Sequence, residues 1–385
     1  MTSGSSSTRA PRLRSLDGLR GAAALLVVVH HCLLLFPALA GVYYAGRRTE
    51  VLDPLAHALS YSPLHLVWAG SESVYLFFVL SGVVLVLPVL ARPDFDWLAY
   101  YPRRLVRLYG PVLAAIALGA LTYALAPRSN GSAFGAWVNA RPNDYPWRVL
   151  PMDLTLVNGA SGRISPLWSL QWEVLFSLLL PLYVALLVPV RRLDGLRVVA
   201  LLLLCAVGSV TDNDVLFFLP MFGIGVLTAV NWRAIEVRVT RWSAGRRWFW
   251  PAVLVLAVLL ATARWNATGL GAEPPLARQL AFLAVPGVWL FVLAAAFAPR
   301  VRAVCEDAFL QWAGRISFSL YLVHEPIVLS ARFLTAPASP WVAIAAAVPI
   351  SIGAAVLFER FVESRFHRLA QQVGRTLHRR ERVVV

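Results

Sequence analysis

Residues 71–90, SESVYLFFVLSGVVLVLPVL, decide the fold class of this chain. After Glu72 the stretch carries no charged side chain, and it is long enough to cross the hydrocarbon core of a bilayer as an α-helix. The whole 385-residue chain has the same character, since 59% of its residues are apolar and 14% are charged, against about 25% charged in a soluble domain. This composition excludes a soluble enzyme, a secreted disulfide scaffold and a disordered protein. It predicts an all-α, polytopic membrane protein.

About ten such stretches follow one another along the chain. They cover roughly 20–40, 66–90, 103–126, 167–190, 197–211, 215–231, 249–264, 278–298, 309–331 and 341–361. With the N-terminus inside, 26 of the 35 arginines fall in cytoplasmic segments. The positive-inside rule and the even span count therefore predict that both termini are cytoplasmic. One alternative remains for the start, because three arginines, an apolar run and Ala38-Leu39-Ala40 also resemble a cleavable signal peptide.

The chain divides into one membrane domain and two short ends. We expect a disordered cytoplasmic N-terminus over residues 1–15, a stand-alone membrane domain over 16–368 and a basic cytoplasmic tail over 369–385. The net charge of +15 comes from arginine alone, since the chain has no lysine, and this usage suggests a GC-rich bacterial genome. The arginines lie at the ends of spans, so we interpret them as a topology signal and as contacts with membrane lipid. We expect no nucleic-acid partner. We therefore expect a multi-pass protein of the bacterial cytoplasmic membrane.

Ionisable residues inside the predicted spans are the candidates for function, because they are expensive to keep in a bilayer. In the first span Arg20 and His31 are eleven residues apart, so they share a helix face roughly 16 Å apart along the axis. Arg20 then lies at the cytoplasmic end and His31 near the middle of the membrane. The imidazole of His31 could act as a base, although Arg20 as a topology charge and His31 as a helix–helix contact remain open.

The third span begins with three arginines that share a helix face, Arg103, Arg104 and Arg107. Guanidinium groups clustered at a cytoplasmic helix end suit a ligand that carries phosphate. Positive-inside charge alone would also account for them.

Three further spans carry polar residues that we single out. Ser81-Gly82 in the second span permits the close approach of another backbone or of a thin ligand. Glu173, in the fourth span, enters the bilayer about one and a half turns from the outer surface, so it needs a partner, for which His31 or an arginine is suitable. In the ninth span Tyr321 and His324 share a face, and His324 could be catalytic or could only form a structural hydrogen bond.

Seven segments, which occur along the chain in the order typical of the family, resemble integral-membrane acyltransferase family 3. Its members are bacterial O-acyltransferases of polysaccharides and secondary metabolites. LDGLRGAAALLVVVHH resembles the family's D-G-L-R motif with a histidine eleven residues after the arginine, and GRISFSLYLVHEPI resembles its S-x-x-x-Y-L-x-H-x-P signature. The others are VYLFFVLSGVVL, RRLVR, LWSLQWEVLF, LPMFGIGVL and FVESRFHRL. The resemblance covers residues 15–368, and its specificity comes from the order of the seven segments.

The resemblance implies transfer of an acyl group from acyl-coenzyme A to an acceptor hydroxyl, with no permanently bound cofactor and no metal. Arg103, Arg104 and Arg107, with Arg20, would bind the phosphates of coenzyme A. His31 would act as general base or take the acyl group itself, and Glu173 would orient or charge-balance a histidine. Tyr321, Ser81 or an arginine would stabilise the oxyanion.

The resemblance implies as acceptor a hydroxyl of a sugar or glycan, or of a macrolide-type small molecule. The connector over 127–166 could shape a site for it on the outside. A proton-coupled transporter without acyl chemistry is the alternative function, since carriers also keep histidines, carboxylates and arginines in their spans.

Overall fold

The computed structural model describes residues 13–45, 53–156, 160–189 and 191–384. Its first α-helices are α1 Arg14–Leu33, α2 Pro37–Ala45, α3 Pro54–Tyr61, α4 Gly70–Leu90, α5 Trp97–Leu125, α6 Ala136–Asn139, α7 Leu150–Thr155, α8 Leu167–Leu187, α9 Asp194–Thr211 and α10 Asp214–Val230. The remaining α-helices are α11 Trp232–Ser243, α12 Phe249–Ala261, α13 Ala263–Gly269, α14 Pro274–Gln279, α15 Ala284–Phe297, α16 Pro299–Cys305, α17 Ala308–Thr335, α18 Pro340–Phe358 and α19 Ser364–Val384. Short 3₁₀ turns lie at Pro63–Trp68, Trp147–Val149, Arg191–Leu193 and Leu280–Leu283, and a π-helical turn at Glu359–Glu363. No β-strand occurs among these described residues, which confirms the predicted all-α class.

Several of these helices could cross a membrane. In the described ranges, seven are long and apolar enough: α1, α4, α5, α8, α9, the segment Pro274–Phe297 and the segment Pro340–Thr376. Two bent pairs, α10 with α11 at 77° and α12 with α13 at 64°, raise the count to nine. The ninth predicted span corresponds to α17, which has 28 residues but carries buried polar side chains that make it less apolar. The polytopic architecture is confirmed, and the orientation of the termini stays a prediction.

The first span differs from its predicted range of 20–40. Helix α1 ends at Leu33, the chain bends over 34–36, and α2 begins at Pro37. Proline has no backbone N–H with which to continue the preceding helix, while the apolar composition runs on through the break. His31 therefore lies in the last turn of α1. The predicted continuous span over 20–40 places it near the middle of the membrane.

The two chain ends differ in part from their predicted descriptions. Helix α1 begins at Arg14, so it includes the last two residues of the segment 1–15 that we expected to be disordered. Residues 1–12 lie outside the described part of the chain. Of the basic tail, the described residues 369–384 belong to α19, which packs along α5 with the ring of Phe366 against Gly110.

Glycines allow the helix pairs that carry the polar residues to approach closely. On α1, a Cβ added at Gly21 would lie 2.5 Å from the backbone nitrogen of Gly314 on α17. On α4, a Cβ at Gly82 would collide with the backbone carbonyl of Phe222 on α10. Small residues at such crossings are typical of packing between membrane helices. Of the two roles open for the Ser81-Gly82 step, Gly82 therefore serves backbone packing.

The connectors between the first spans fold over the end of α1. Trp68, from the 3₁₀ turn after α3, is buried and stacks on His30 with ring centroids 5.5 Å apart. Trp137, from α6 in the connector over 127–166, is buried with its ring centroid 5.4 Å from that of His31. Both histidines at this end of α1 are consequently enclosed by protein.

Candidate functional site

Two cavities lie between α1, α4, α5, α8 and α17. The arginine cavity has about 890 Å³ of free space, part of it open to solvent. It is lined by Arg20, Val74, Phe77, Phe78, Ser81, Arg104, Arg107, Leu108, Ser169, Leu170, Glu173, Gly314, Arg315, Ser317, Phe318, Tyr321, Glu363 and His367. The histidine cavity has about 750 Å³ and is lined by Val27, His30, His31, Leu34, Tyr43, Gly70, Ser71, Val74, Trp137, Arg141, Ser165, Pro166, Trp168 and Tyr321. Val74 and Tyr321 belong to both walls, so the two cavities are adjacent.

Charge in the arginine cavity is strongly positive. Four guanidinium groups line it against two carboxylates, and one of those carboxylates is held by an arginine. Nη2 of Arg104 donates to Oε1 of Glu173 at 2.5 Å, and Nε of Arg104 donates to Oγ of Ser177 at 3.0 Å. Of the two partners that the sequence left open for Glu173, the arginine is the one it binds. That Glu173 orients or charge-balances a histidine stays a prediction; in the structure its carboxylate is bound to Arg104.

The three arginines of the third span are not equivalent. Arg107 lines the arginine cavity and is exposed, and Arg104 lines it with its charge balanced by Glu173. Arg103 is absent from the lining, because its side chain packs toward Gly374 on α19. Arg20, from α1, joins Arg107 in the cavity. The structure therefore groups Arg20 with two of the three arginines that the sequence proposed for phosphate.

Tyr321 stands where the two cavities meet. Its hydroxyl and Oγ of Ser169 are 2.6 Å apart and share a hydrogen bond. Ser169 also donates to the backbone carbonyl of Pro166 at 3.1 Å, so the Tyr321 hydroxyl is the donor in the shared bond. Ser81 lines the arginine cavity on the facing helix α4. A narrow ligand that reaches from one cavity to the other must pass Tyr321.

His31 and His324 form a contact pair although 293 residues separate them in the sequence. Nε2 of His324 lies 2.9 Å from Nδ1 of His31. His31 lines the histidine cavity, whereas His324 is fully buried behind it and lines neither cavity. His30 also lines this cavity, and its Nδ1 lies 2.8 Å from the backbone carbonyl oxygen of Trp68. Of His31 and His324, only His31 can therefore touch a ligand in either cavity.

Sequence reasoning missed Arg141 and Glu325, which meet beside the histidine cavity. Nε of Arg141 is 3.8 Å from Oε1 of Glu325, and Oε2 of Glu325 accepts from the backbone N–H of Ser165 at 3.3 Å. The Arg141 guanidinium also lies over the ring of Trp137, 5.1 Å from its centroid. A signal was available for Arg141, because an arginine on a connector that the topology prediction puts outside runs against the positive-inside rule.

A buried carboxylate fixes the connector that supplies Arg141. Asp153 is fully buried, and it accepts hydrogen bonds from the backbone N–H of Ser161 at 2.7 Å and the hydroxyl of Tyr145 at 2.6 Å. Burial and the neighbouring Asp153 carboxylate raise the pKa of Tyr145, so its phenol stays a donor. This network ties together distant parts of the connector itself.

No group of three or more His, Cys, Asp or Glu side chains in the described ranges is arranged to hold a metal ion. The chemical groups that converge on the two cavities are guanidiniums, hydroxyls, carboxylates and imidazoles. Such a set can bind a phosphorylated ligand, hold a thin chain and move a proton.

The chain is similar in sequence to known acyltransferases. The model of the acyltransferase domain, acyltransferase family 3, matches residues 13–360. Acyltransferase MdmB of Streptomyces mycarofaciens is 28% identical over 347 residues, which cover 83% of this chain and 80% of the relative. O-acetyltransferase PaAT-1 of Phomopsis amygdali is 28% identical over 369 residues, which cover 81% of this chain and 71% of the relative. No solved structure matches the chain.

Proposed function

This chain belongs to acyltransferase family 3, and we propose that it is an O-acyltransferase of the bacterial cytoplasmic membrane. The donor is acyl-coenzyme A with acetyl or another short acyl group, and the acceptor is a hydroxyl of a sugar, a glycan or a macrolide-type metabolite. The name of the relative PaAT-1 supports transfer of acetyl to oxygen. The observation that carries the proposal is the common wall between a cationic cavity and a cavity that exposes His31.

The arginine cavity is the donor site in this proposal. Coenzyme A carries several phosphate groups, and guanidinium groups bind phosphate through charge-assisted, often bidentate hydrogen bonds. Within the described part of the chain, no carboxylate lies within ion-pair distance of Arg20 or Arg107, whereas Arg104 is already bound to Glu173. Arg20 and Arg107 are therefore better placed than Arg104 to bind phosphate. The thin pantetheine arm would pass Tyr321 and bring the thioester to His31.

The histidine cavity is the acceptor site. Aromatic side chains line it together with a few polar groups, which is the usual composition of a pocket for a cyclic organic ligand. The acceptor O–H gives its proton to Nε2 of His31 while the oxygen bonds to the acyl carbon. The C–S bond then breaks, and the departing thiolate of coenzyme A takes the proton from His31. The guanidinium of Arg141, which lines the same cavity, stabilises the oxyanion that forms before the C–S bond breaks.

Thiol release by the purified protein in nanodiscs tests this function. The reaction contains acetyl- or propionyl-coenzyme A and a mixed pool of sugar and macrolide acceptors, and it is run on wild type and His31→Ala. His57→Ala is the matched control, since His57 lies on α3 and lines neither cavity. We expect acceptor-dependent thiol release that His31→Ala abolishes and His57→Ala retains. Full activity of His31→Ala would reject His31 as the base, and substrate uptake into vesicles without thiol release would favour a carrier.

A further inference from the structure

The hydrogen-bonding pattern of His31 and His324 extends beyond their mutual contact. Nδ1 of His31 lies 3.0 Å from the backbone carbonyl oxygen of Val27, four residues earlier on α1. Nδ1 of His324 lies 2.8 Å from the backbone carbonyl oxygen of Leu320, four residues earlier on α17. Each ring is therefore bound to its own helix by the same nitrogen, and the two rings meet through Nε2 of His324.

The two carbonyls determine where the hydrogens are. A carbonyl oxygen only accepts, so Nδ1 of His324 must donate its hydrogen to Leu320. A neutral imidazole has one N–H, which leaves a lone pair on Nε2 of His324. Nδ1 of His31 faces this lone pair and the carbonyl of Val27, so it carries the hydrogen of His31. Nε2 of His31 is consequently the unprotonated nitrogen, and it is the only ring nitrogen of the pair left to accept a proton.

We propose that His324 is a positioning residue for His31: its Nε2 lone pair holds the Nδ1–H of His31 and stabilises the imidazolium that forms when Nε2 of His31 takes the acceptor proton. This inference rests on the proposed function. The proton arrives from the acceptor hydroxyl and leaves with the coenzyme A thiolate, while His324 keeps its own hydrogen on Nδ1 throughout. In serine hydrolases a carboxylate orients the histidine in this way.

Other groups near the pair do not fill this position. Glu325, the next residue on α17, is directed to the backbone of Ser165 and to Arg141. Glu173 is bound to Arg104. A neutral imidazole also suits the location, because a carboxylate buried behind His31 would have to lose its hydration. Since His324 lines neither cavity, it acts on the reaction only through His31.

Two substitutions of His324 separate its acceptor lone pair from its volume. His324→Phe keeps a ring and removes the acceptor, whereas His324→Gln offers an amide oxygen to the Nδ1–H of His31. We expect kcat of His324→Phe to fall roughly 10- to 100-fold, since hydrogen bonds to charged groups stabilise by about 1.5–3 kcal/mol. KM for acyl-coenzyme A should change little, and His324→Gln should recover much of kcat.

A spectroscopic measurement on the wild-type protein tests the hydrogen positions directly. In protein labelled with ¹⁵N-histidine in nanodiscs, the nitrogen shifts distinguish protonated from bare ring nitrogens, and His31→Ala identifies the signals of His31 among the seven histidines. We expect Nδ1 of His31 to be protonated and Nε2 to be bare. Protonation on Nε2 would overturn the proposal, and this result is decisive even if His324→Phe does not fold.

The two proposals fail in different ways. If His31→Ala keeps its activity, the proposed function of His31 is wrong. If His31→Ala is inactive while folded His324→Phe has wild-type kcat, the proposed role of His324 is wrong, and His31 remains supported as the general base.

Discussion

Replacing Gly21 with alanine should force apart the two helices that carry the histidine pair. A Cβ at this position on α1 would lie 2.5 Å from the nitrogen of Gly314, 2.6 Å from the carbonyl oxygen of Leu310 and 2.9 Å from the carbonyl carbon of Ala313. All three atoms are α17 backbone, so no flexible side chain can move aside. Because real Cβ atoms essentially never approach other heavy atoms within 3.0 Å, the helices must separate by about 0.5 Å.

The expected cost follows from that separation. Overpacking of a well-packed interior typically costs about 1–3 kcal/mol, and contact with backbone places Gly21→Ala toward the upper end. Gly353→Ala is the matched control, because Gly353 also lies within a membrane helix, α18, and no atom would be within 4 Å of its Cβ. Both variants gain the same helix propensity, about 1 kcal/mol for glycine to alanine. The difference between them isolates the collision.

Thermal unfolding in detergent at a fixed heating rate measures this difference. All three cysteines are buried, so a thiol-reactive fluorescent dye reports unfolding. We expect the midpoint of Gly21→Ala to fall by a few degrees and that of Gly353→Ala to stay or rise. The kcat for thiol release should also fall in Gly21→Ala, since the separation lengthens the contact between His31 and His324. A Gly21→Ala midpoint at or above the Gly353→Ala midpoint would refute the packing argument.

Two further predictions concern the arginine cavity. Arg107→Gln should raise KM for acetyl-coenzyme A roughly tenfold, because it removes a charge-assisted bond to phosphate. Arg103→Gln should leave KM nearly unchanged, because the Arg103 side chain packs toward α19. Equal KM values for the two variants in steady-state kinetics would contradict this prediction. Glu173→Gln should lower stability by about 1.5–3 kcal/mol, because it leaves the half-buried partner arginine unbalanced. In the same dye assay Glu306→Gln, which breaks an exposed i,i+4 pair, should cost less than about 0.5 kcal/mol; equal midpoints would count against it.

The sequence alone was sufficient for the fold class and the family. Membrane spans are visible because a bilayer requires long apolar stretches, and the all-α, polytopic prediction is confirmed. The family followed from seven short segments in order, and the match over residues 13–360 confirms it. The polar residues inside spans were also visible, since each of them is a local exception to an apolar run. His31, Glu173 and His324 were found in this way.

The first span shows that apolar composition does not locate the end of a helix. Apolar composition continues through 34–36, so hydrophobicity could not show that the helix ends there. Composition reports whether a segment can be buried, whereas a helix end depends on backbone hydrogen bonds and on the packing of the segment that follows. Pro37 was the only local sign of the break.

Which polar groups meet was decided by the tertiary structure alone. His31 contacts His324 across 293 residues, Glu173 binds Arg104 across 69, and Arg141 reaches the histidine cavity from a connector. Sequence spacing predicts neighbours only within one helix, where i and i+4 share a face. Contacts between helices depend instead on which faces pack, and here glycines on α1 and α17 set that approach. The sequence thus determined that this protein is a membrane acyltransferase with costly polar groups, and only packing determined their partners.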